Sequence, residues 1–262
     1  MTFYYLASSL TPIEFGDLAD YGFLDLLEKF DLSITSQDRK SFRVLRLFYD
    51  LENLKKILVV TSAPIELDPR GNLSKKELQE ALDYRTFFSD YVFDFLDSFT
   101  SSKERLDNFS RLLSDYFKYE ADNSTGFLKA YLTFERDYRL ILTAFRAKKL
   151  KKNLEKEFSF ELLKDPMVEF ILNQKDSPYF EAPSGYEDLQ EMLLVVKDKP
   201  LNQYRHLAEY RFKKMREMVQ DKPFTIDYLM SYAMRVCILE DLANLNEIKG
   251  NENLNIILKD KS

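Results

Sequence analysis

A single cysteine, Cys237, excludes an internal disulfide framework and a cysteine-based zinc site, and it fits a reducing compartment. Glycine is scarce too: six residues in 262, with none between Gly126 and Gly185. So few glycines leave little material for tight hairpins, which argues against an all-β fold. They also cannot build a phosphate cradle, and neither GxxxxGK[ST] nor GxGxxG occurs. Long apolar runs are missing. Stretches such as Leu193-Leu194-Val195-Val196 fall far short of the ~20 residues that span a bilayer. The start, MTFYYLASSLTPIEF, has no basic region and is followed by Asp17, so no signal peptide is expected. Positive charge is not in excess: the net charge is −6, which argues against a broad nucleic-acid footprint.

What is present is enough for a core. Hydrophobic residues make up 45% and charged residues 31%, the balance of a folded protein rather than a disordered tail. The length allows one large compact unit or two to three small ones. The patterning is helical. FLDLLEKF at 23–30 predicts one or two turns. Ser36 and Asp38 are N-cap candidates for a long helix whose Val44, Leu47, Leu51, Leu54 and Leu58 share one face, and Thr61 to Pro64 ends it. Asp68-Pro69-Arg70-Gly71-Asn72 is a turn by composition, with Gly71 available for φ > 0. Ser74 with Glu77, Ser101 with Glu104 and Ser184 with Glu187 repeat the capping-box spacing.

Further helices are expected at about 84–99, 103–119, 126–150 and 201–220. In the third, Phe127, Tyr131, Phe134, Tyr138, Ile141 and Phe145 form a nearly all-aromatic stripe, and Arg146 to Lys152 close it with cations suited to a helix C-terminus. Pro223 and Thr225 open a last helix that should run to about 248 and stop at Gly250, with Leu229, Tyr232, Val236 and Leu239 as its stripe.

Residues capable of chemistry do not assemble. His206 is the one histidine and lacks a nucleophile and an orienting carboxylate in pattern. Cys237 sits among Val236, Ile238 and Leu239 and reads as a buried thiol. Glu52, Glu135 and Glu240 lie in long helices and read as solvated or salt-bridged faces. No HExxH or DxDxDG spacing occurs. The expectation is a protein with no catalytic site, no metal and no cofactor, while sixteen tyrosines suggest half-wet seams of the kind used for partners.

One short pattern recurs. Asp50-Leu51-Glu52-Asn53-Leu54 is echoed by Asp241-Leu242-Ala243-Asn244-Leu245, and Asp137-Tyr138-Arg139-Leu140-Ile141 keeps the acid and the apolar residue without the Asn. A helix edge accounts for such a pair: the apolar residue faces the core while Asp and Asn flank it. The segments carrying it are FYDLENLKKILVV at 48–60, KAYLTFERDYRLILTAFRAKKL at 129–150 and TIDYLMSYAMRVCILEDLANLNEI at 225–248. Together with FYYLASSL at 3–10, they resemble the C-subunit family of A/V-type rotary ATPases, whose eukaryotic members are called d-subunits, and most closely a shorter bacterial branch. The chain departs from that family in its shorter length and in the missing middle Asn.

The resemblance implies an all-α funnel of three pseudo-symmetric helical repeats, here about 1–85, 86–172 and 173–262. It further implies a non-catalytic central-rotor adaptor that links the central stalk to the membrane proteolipid ring and transmits torque. Such a protein would be cytoplasmic and peripheral on the membrane. Its partners would be other V-type ATPase subunits, with no nucleic acid and no small-molecule substrate. Asp50, Asn53, Leu54, Asp137, Ile141, Asp241, Asn244 and Leu245 would be structural repeat positions. The alternative is a free-standing helical interaction module that shares only the architecture.

Overall fold

Local capping chemistry determines where many of the helices start. A computed structural model describes residues 3–59, 65–161, 164–195 and 200–245. Thirteen helices and no strands occur among these described residues, so the protein is all-α. The first are α1 (Tyr4–Ser8), α2 (Phe23–Asp31) and α3 (Ser36–Leu58). The next are α4 (Lys75–Tyr84), α5 (Asp90–Ser98), α6 (Ser102–Asp107), α7 (Phe109–Asp122) and α8 (Gly126–Lys149). Then come α9 (Leu154–Glu157), α10 (Pro166–Leu172), α11 (Glu187–Val195), α12 (Pro200–Glu217) and α13 (Ile226–Ala243). Reciprocal Ser–Glu boxes open α4 and α6 at the expected residues. The box that opens α3 uses Thr35 with Asp38, one residue before Ser36, which is already helical. At the third expected box, Glu187 accepts from the Gly185 N–H at 2.8 Å.

The segment expected to be helical over 84–99 is broken. Arg85 and Phe87 take positive φ (53° and 66°) between α4 and α5, a conformation that ends a helix and that side chains with a Cβ rarely adopt. The expected stop signals at Thr61 to Pro64 and at Gly250 lie outside the described residues.

The chain divides into two compact units. The larger, Thr35–Glu191, is built on α3, α7 and α8. Leu45, Leu51, Leu54, Leu112, Tyr116, Phe127, Leu132 and Ile141 form its core. Each such side chain contributes about 1.5–3 kcal/mol by leaving water. Phe48 lies against the rings of Tyr116 and Phe117, and the Tyr116 hydroxyl, buried with them, donates to the Val44 carbonyl at 2.9 Å. This satisfies the polar end of an otherwise apolar contact. The α8 stripe is buried from Phe127 to Ile141, and Phe145 is half-buried. Lys148, near the end of α8, donates to the carbonyls of Gln174, Lys175 and Ser177 at 2.6–2.7 Å and so holds the turn after α10.

The smaller unit joins Met1–Ile34 to Met192–Ser262. Its centre is α13, buried without interruption from Leu229 to Leu239 and packed by both α2 and α12. A helix apolar on all sides needs neighbours on more than one side. Ser231 donates to the Met215 carbonyl at 2.7 Å, and the Tyr232 hydroxyl to the Thr11 carbonyl at 2.8 Å.

Helix α2 has no side-chain N-cap of its own, because Gly22 precedes it. The Glu240 carboxylate of α13 fills the role, accepting from the Phe23 N–H at 2.7 Å. Gly22 is needed for this approach: a Cβ there would lie 2.9 Å from Glu240 Oε1. Glu240 is therefore a tertiary cap, not a solvated face, and Glu135 is likewise buried, 3.8 Å from Arg139. Glu52 does lie on a half-exposed face beside Lys55. Replacing Glu240 by Ala should lower unfolding stability by about 1–2 kcal/mol, the usual cost of a lost helix cap. Gly22→Ala should give a loss of similar size, and urea denaturation with an unchanged m-value is the check.

Candidate functional site

Asp50 and Asn53 sit on the inner side of α3, both almost inaccessible to water (1% and 0% exposed). Burying them is costly unless their polar atoms find partners, and the loop after α3 supplies these. The Asn53 side chain pairs both ways with residue 68: its Nδ2 donates to the Asp68 carbonyl at 2.9 Å and its Oδ1 accepts from the Asp68 N–H at 2.7 Å. Asp50 accepts from Asn72 Nδ2 at 2.7 Å and from the Leu73 N–H at 2.9 Å. One turn earlier on α3, Arg46 donates to the carbonyls of Arg70, at 2.9 Å, and Gly71. Asn72 also donates to the Arg43 carbonyl at 3.0 Å. Arg70 pairs with Asp68 at 2.7 Å and lies over the Tyr49 ring.

Gly71 has a different task from the one its turn composition suggests. Its φ is not positive. A Cβ at this position would lie 2.6 Å from Asp50 Oδ1 and 3.1 Å from Asn53 Nδ2, so glycine is required by close approach. Burial pushes the Asp50 carboxyl above its usual range, against the hydrogen bonds from Leu73 and Asn72 and the charge of Arg46, which favour ionisation. Burial also lowers the Arg46 guanidinium, against the charge of Asp50. At Asp68, burial acts upward, but Arg70 outweighs it and holds the group low.

A second polar cluster surrounds α8. Arg136 reaches Glu161 at 2.9 Å, Asp165 at 3.0 Å and Asp137 at 3.8 Å. Asp165 also caps α10 through the Met167 and Val168 N–H groups. The Tyr186 hydroxyl donates to Asp137 at 3.3 Å, and its ring stacks on Phe134. Burial pushes the Asp137 carboxyl up to about 6, Asp165 adds to the shift, and Arg136 and the Tyr186 hydrogen bond oppose it. Asp137 thus belongs to an Arg-centred cluster, and Ile141, one turn on, is core.

The third copy of the motif is placed differently again. Asp241 is half-buried near the end of α13, Asn244 is the helix C-cap and exposed, and Leu245 is 42% exposed. Leu54, its counterpart in the first copy, is fully buried. The structure therefore gives the three copies three different environments. His206 is exposed on α12 at 4.0 Å from Glu209, and Cys237 is a buried thiol. Among the described residues no group of three His, Cys, Asp or Glu side chains is arranged to hold a metal ion.

The matches to known proteins decide the family. A family model described as protein of unknown function (DUF2764) covers residues 1–260. The chain belongs to the DUF2764 family. Full-length relatives include an uncharacterized protein of Chlamydia muridarum, 30% identical with 98% of this chain and 97% of the relative aligned. An uncharacterized protein of Chlamydia trachomatis is 29% identical over the same shares. A third relative, from Chlamydia pneumoniae, is 29% identical over 99% of this chain and 98% of its own. No solved structure matches the chain.

These matches correct the expected membership in the C-subunit family of rotary ATPases. The model spanning this chain is that of DUF2764, and no C-subunit family matches. The physical reason lies in the motif. A five-residue element of Asp, Asn and Leu forms wherever an amphipathic helix meets a polar edge, and here its two full copies have different surroundings. In the DUF2764 chain the deeply buried Asp50, Asn53 and Ser231 side chains bond to backbone groups. Sequence reasoning missed Arg46, Glu161 and Asp165. Arg46 stands one turn from Asp50 and could have been flagged by that spacing, and Asp165 before Pro166 carries a helix-start signal, whereas nothing local points to the pairing of Glu161 and Asp165 with Arg136, 25 and 29 residues away.

Asn53→Ala should cost about 1–3 kcal/mol, since it removes two hydrogen bonds and leaves the half-buried Asp68 backbone groups without their partner. Gly71→Ala should destabilise comparably although it deletes nothing. Chemical denaturation checks both.

The Asp137 cluster predicts a pH effect of definite sign. A carboxyl whose folded pKa exceeds its unfolded value stabilises the fold fully below the unfolded value, and that contribution is lost as pH rises from about 3.8 through about 6. Asp137→Asn should therefore raise stability at pH 7.5 by roughly 1–2 kcal/mol over wild type, with the advantage shrinking toward pH 4. Paired urea titrations at the two pH values read it. An equal difference at both would remove the assignment.

Proposed function

We propose that this DUF2764 chain is a non-catalytic helical adaptor that works by binding other proteins. The observation that carries the reading is the exposure of large apolar side chains on α1 and in the loops that flank α2 in the smaller unit. Tyr5 is 89% exposed beside Tyr4 on α1, and Leu18 and Leu32 also stand in water. Exposed aromatic groups on a fixed frame are the anchors that protein interfaces favour. Within the same unit Glu240 supports the reading, because it is committed to holding the start of α2. No helix among the described residues is long and apolar enough to cross a membrane, so any membrane association in this reading runs through protein partners.

The finer form of the proposal takes the partners to be the central stalk and the membrane rotor ring of a V-type ATPase. The chain would then transmit torque for ion transport as a three-repeat funnel, peripheral on the cytoplasmic side. This form carries over what the sequence resemblance implies and does not come from family membership. The rival is a free-standing helical interaction module with unrelated partners.

Replacing Tyr5 by a photo-crosslinking phenylalanine in cells that make the protein naturally separates these readings. The adaptor reading expects one or a few discrete covalent adducts, lost when the crosslinker is moved to buried Phe23. Adducts with stalk or rotor-ring subunits support the finer form, and adducts with other proteins replace it by the module. The absence of adducts at Tyr5, Leu18 and Leu32 alike would sink the adaptor.

A further inference from the structure

In the larger unit, α5 and α7 pack together and leave an open groove of about 340 Å³ between their outer faces. Helix α5 contributes Tyr91, Asp94 and Phe95, which are neighbours on one helical face. Helix α7 contributes a stripe from Arg111 through Asp115 and Tyr119 to Asp122, with Lys118 beside it. The twelve residues from Arg111 to Asp122 make the groove about 16 Å long, which suits a segment of chain better than one small molecule.

Its walls are aromatic and its charge is unbalanced. The Tyr91 and Tyr119 rings are 5.2 Å apart and tilted, and the Tyr91 hydroxyl is held by Glu120 at 3.4 Å. Helix α5 carries Asp90, Asp94 and Asp97 with no Lys or Arg, and only Asp97 is taken, by Arg85 at 2.8 Å. Asp94 and Asp122 have no ion-pair partner among the described residues, and Asp115 has only Arg111, at 3.9 Å. Asp122 lies in the last turn of α7, where the helix dipole disfavours an acid and no basic residue is present. The fold gives no reason for an acid there. Burial raises the Asp115 carboxyl, with Arg111 opposing and the charge of buried Glu161 adding to it, and among the described residues Glu161 Oε1 has no hydrogen-bond partner.

We propose that this groove docks a basic segment of a protein partner, with an arginine or lysine entering beside the Tyr91 and Tyr119 rings to meet Asp94, Asp115 and Asp122. The proposal rests on the adaptor reading and gives that adaptor a second contact, with the chemistry its partner must offer. Rings beside a cation and carboxylates at its tip are mutually reinforcing, and the surrounding acids would steer a basic partner in.

The test uses the full chain and a fluorescent alanine-rich helical peptide with arginines at positions i, i+4 and i+7, beside a glutamate version and spermidine. The arginine peptide should bind and shift the NMR signals of Tyr91 and Tyr119, and the glutamate peptide should not. Asp94→Asn with Asp115→Asn should weaken Kd at least tenfold. Asp122→Lys, at an exposed helix end where folding is not at stake, should do the same. Glu209→Gln with Glu217→Gln on α12 should change Kd less than twofold. Equal weakening by the α12 pair would reduce the effect to general attraction and overturn the site. Unaltered binding in both groove variants would overturn it too, as would spermidine competing as well as the peptide. The two readings fail separately: partner adducts at Tyr5 without peptide binding here would sink the groove and spare the adaptor. Peptide binding here without adducts would do the reverse.

Discussion

A carboxylate placed inside a protein must be given donors or lose its charge, and the larger unit shows the consequence at Asp50. The side chain stands on the buried side of α3, where water cannot reach it. Its needs dictate the course of the loop that follows: Asn72 and Leu73 must present N–H groups, and Gly71 must lack a Cβ so that the backbone can come close. Arg46 and Asn53, one turn to either side, hold the same loop by its carbonyls and by an amide N–H. The loop then delivers Ser74 to its capping position, where α4 begins. One buried acid thus sets the geometry of a loop and the start of the next helix.

The same economy recurs with different residues. Arg136 draws Glu161 and Asp165 toward α8, and Asp165 in turn caps α10. Lys148 gathers the three carbonyls of the turn beyond α10. Buried ion pairs of this kind are weak net stabilisers but severe selectors, because removing one partner strands the other in a low dielectric. Their role here is to specify which loop conformation accompanies each long helix.

How much of this could be read from the sequence follows from the range of each interaction. Interactions within four residues were visible: the boxes at Ser74–Glu77 and Ser101–Glu104, the α8 stripe and the Thr225 start of α13. The break at Arg85 and Phe87 was not, because neither residue announces a left-handed conformation. The burial of Asp50 and Asn53 was hidden for another reason: their partners lie 15 to 23 residues away in a loop that composition marks only as a turn. Asp241 to Leu245 repeats four of the five letters of Asp50 to Leu54, but Asn244 and Leu245 face water. A short motif records residue types and not partners, which is why the resemblance drawn from it did not identify the family.

The long-range cap on α2 bears on how the chain comes to be folded. The Phe23 N–H waits for a carboxylate 217 residues further on. During synthesis the first 34 residues therefore emerge as half of a unit whose other half begins at Met192. The intervening stretch, Thr35–Glu191, contains its own core and can close while translation continues. Phe23, Leu26 and Phe30 belong to a core that includes α13, so they stay without their final neighbours until α13 is made. A ribosome stalled before Glu240 would hold a finished central body and an N-terminal segment of exposed aromatics, the state in which this protein is most open to chaperones and proteases.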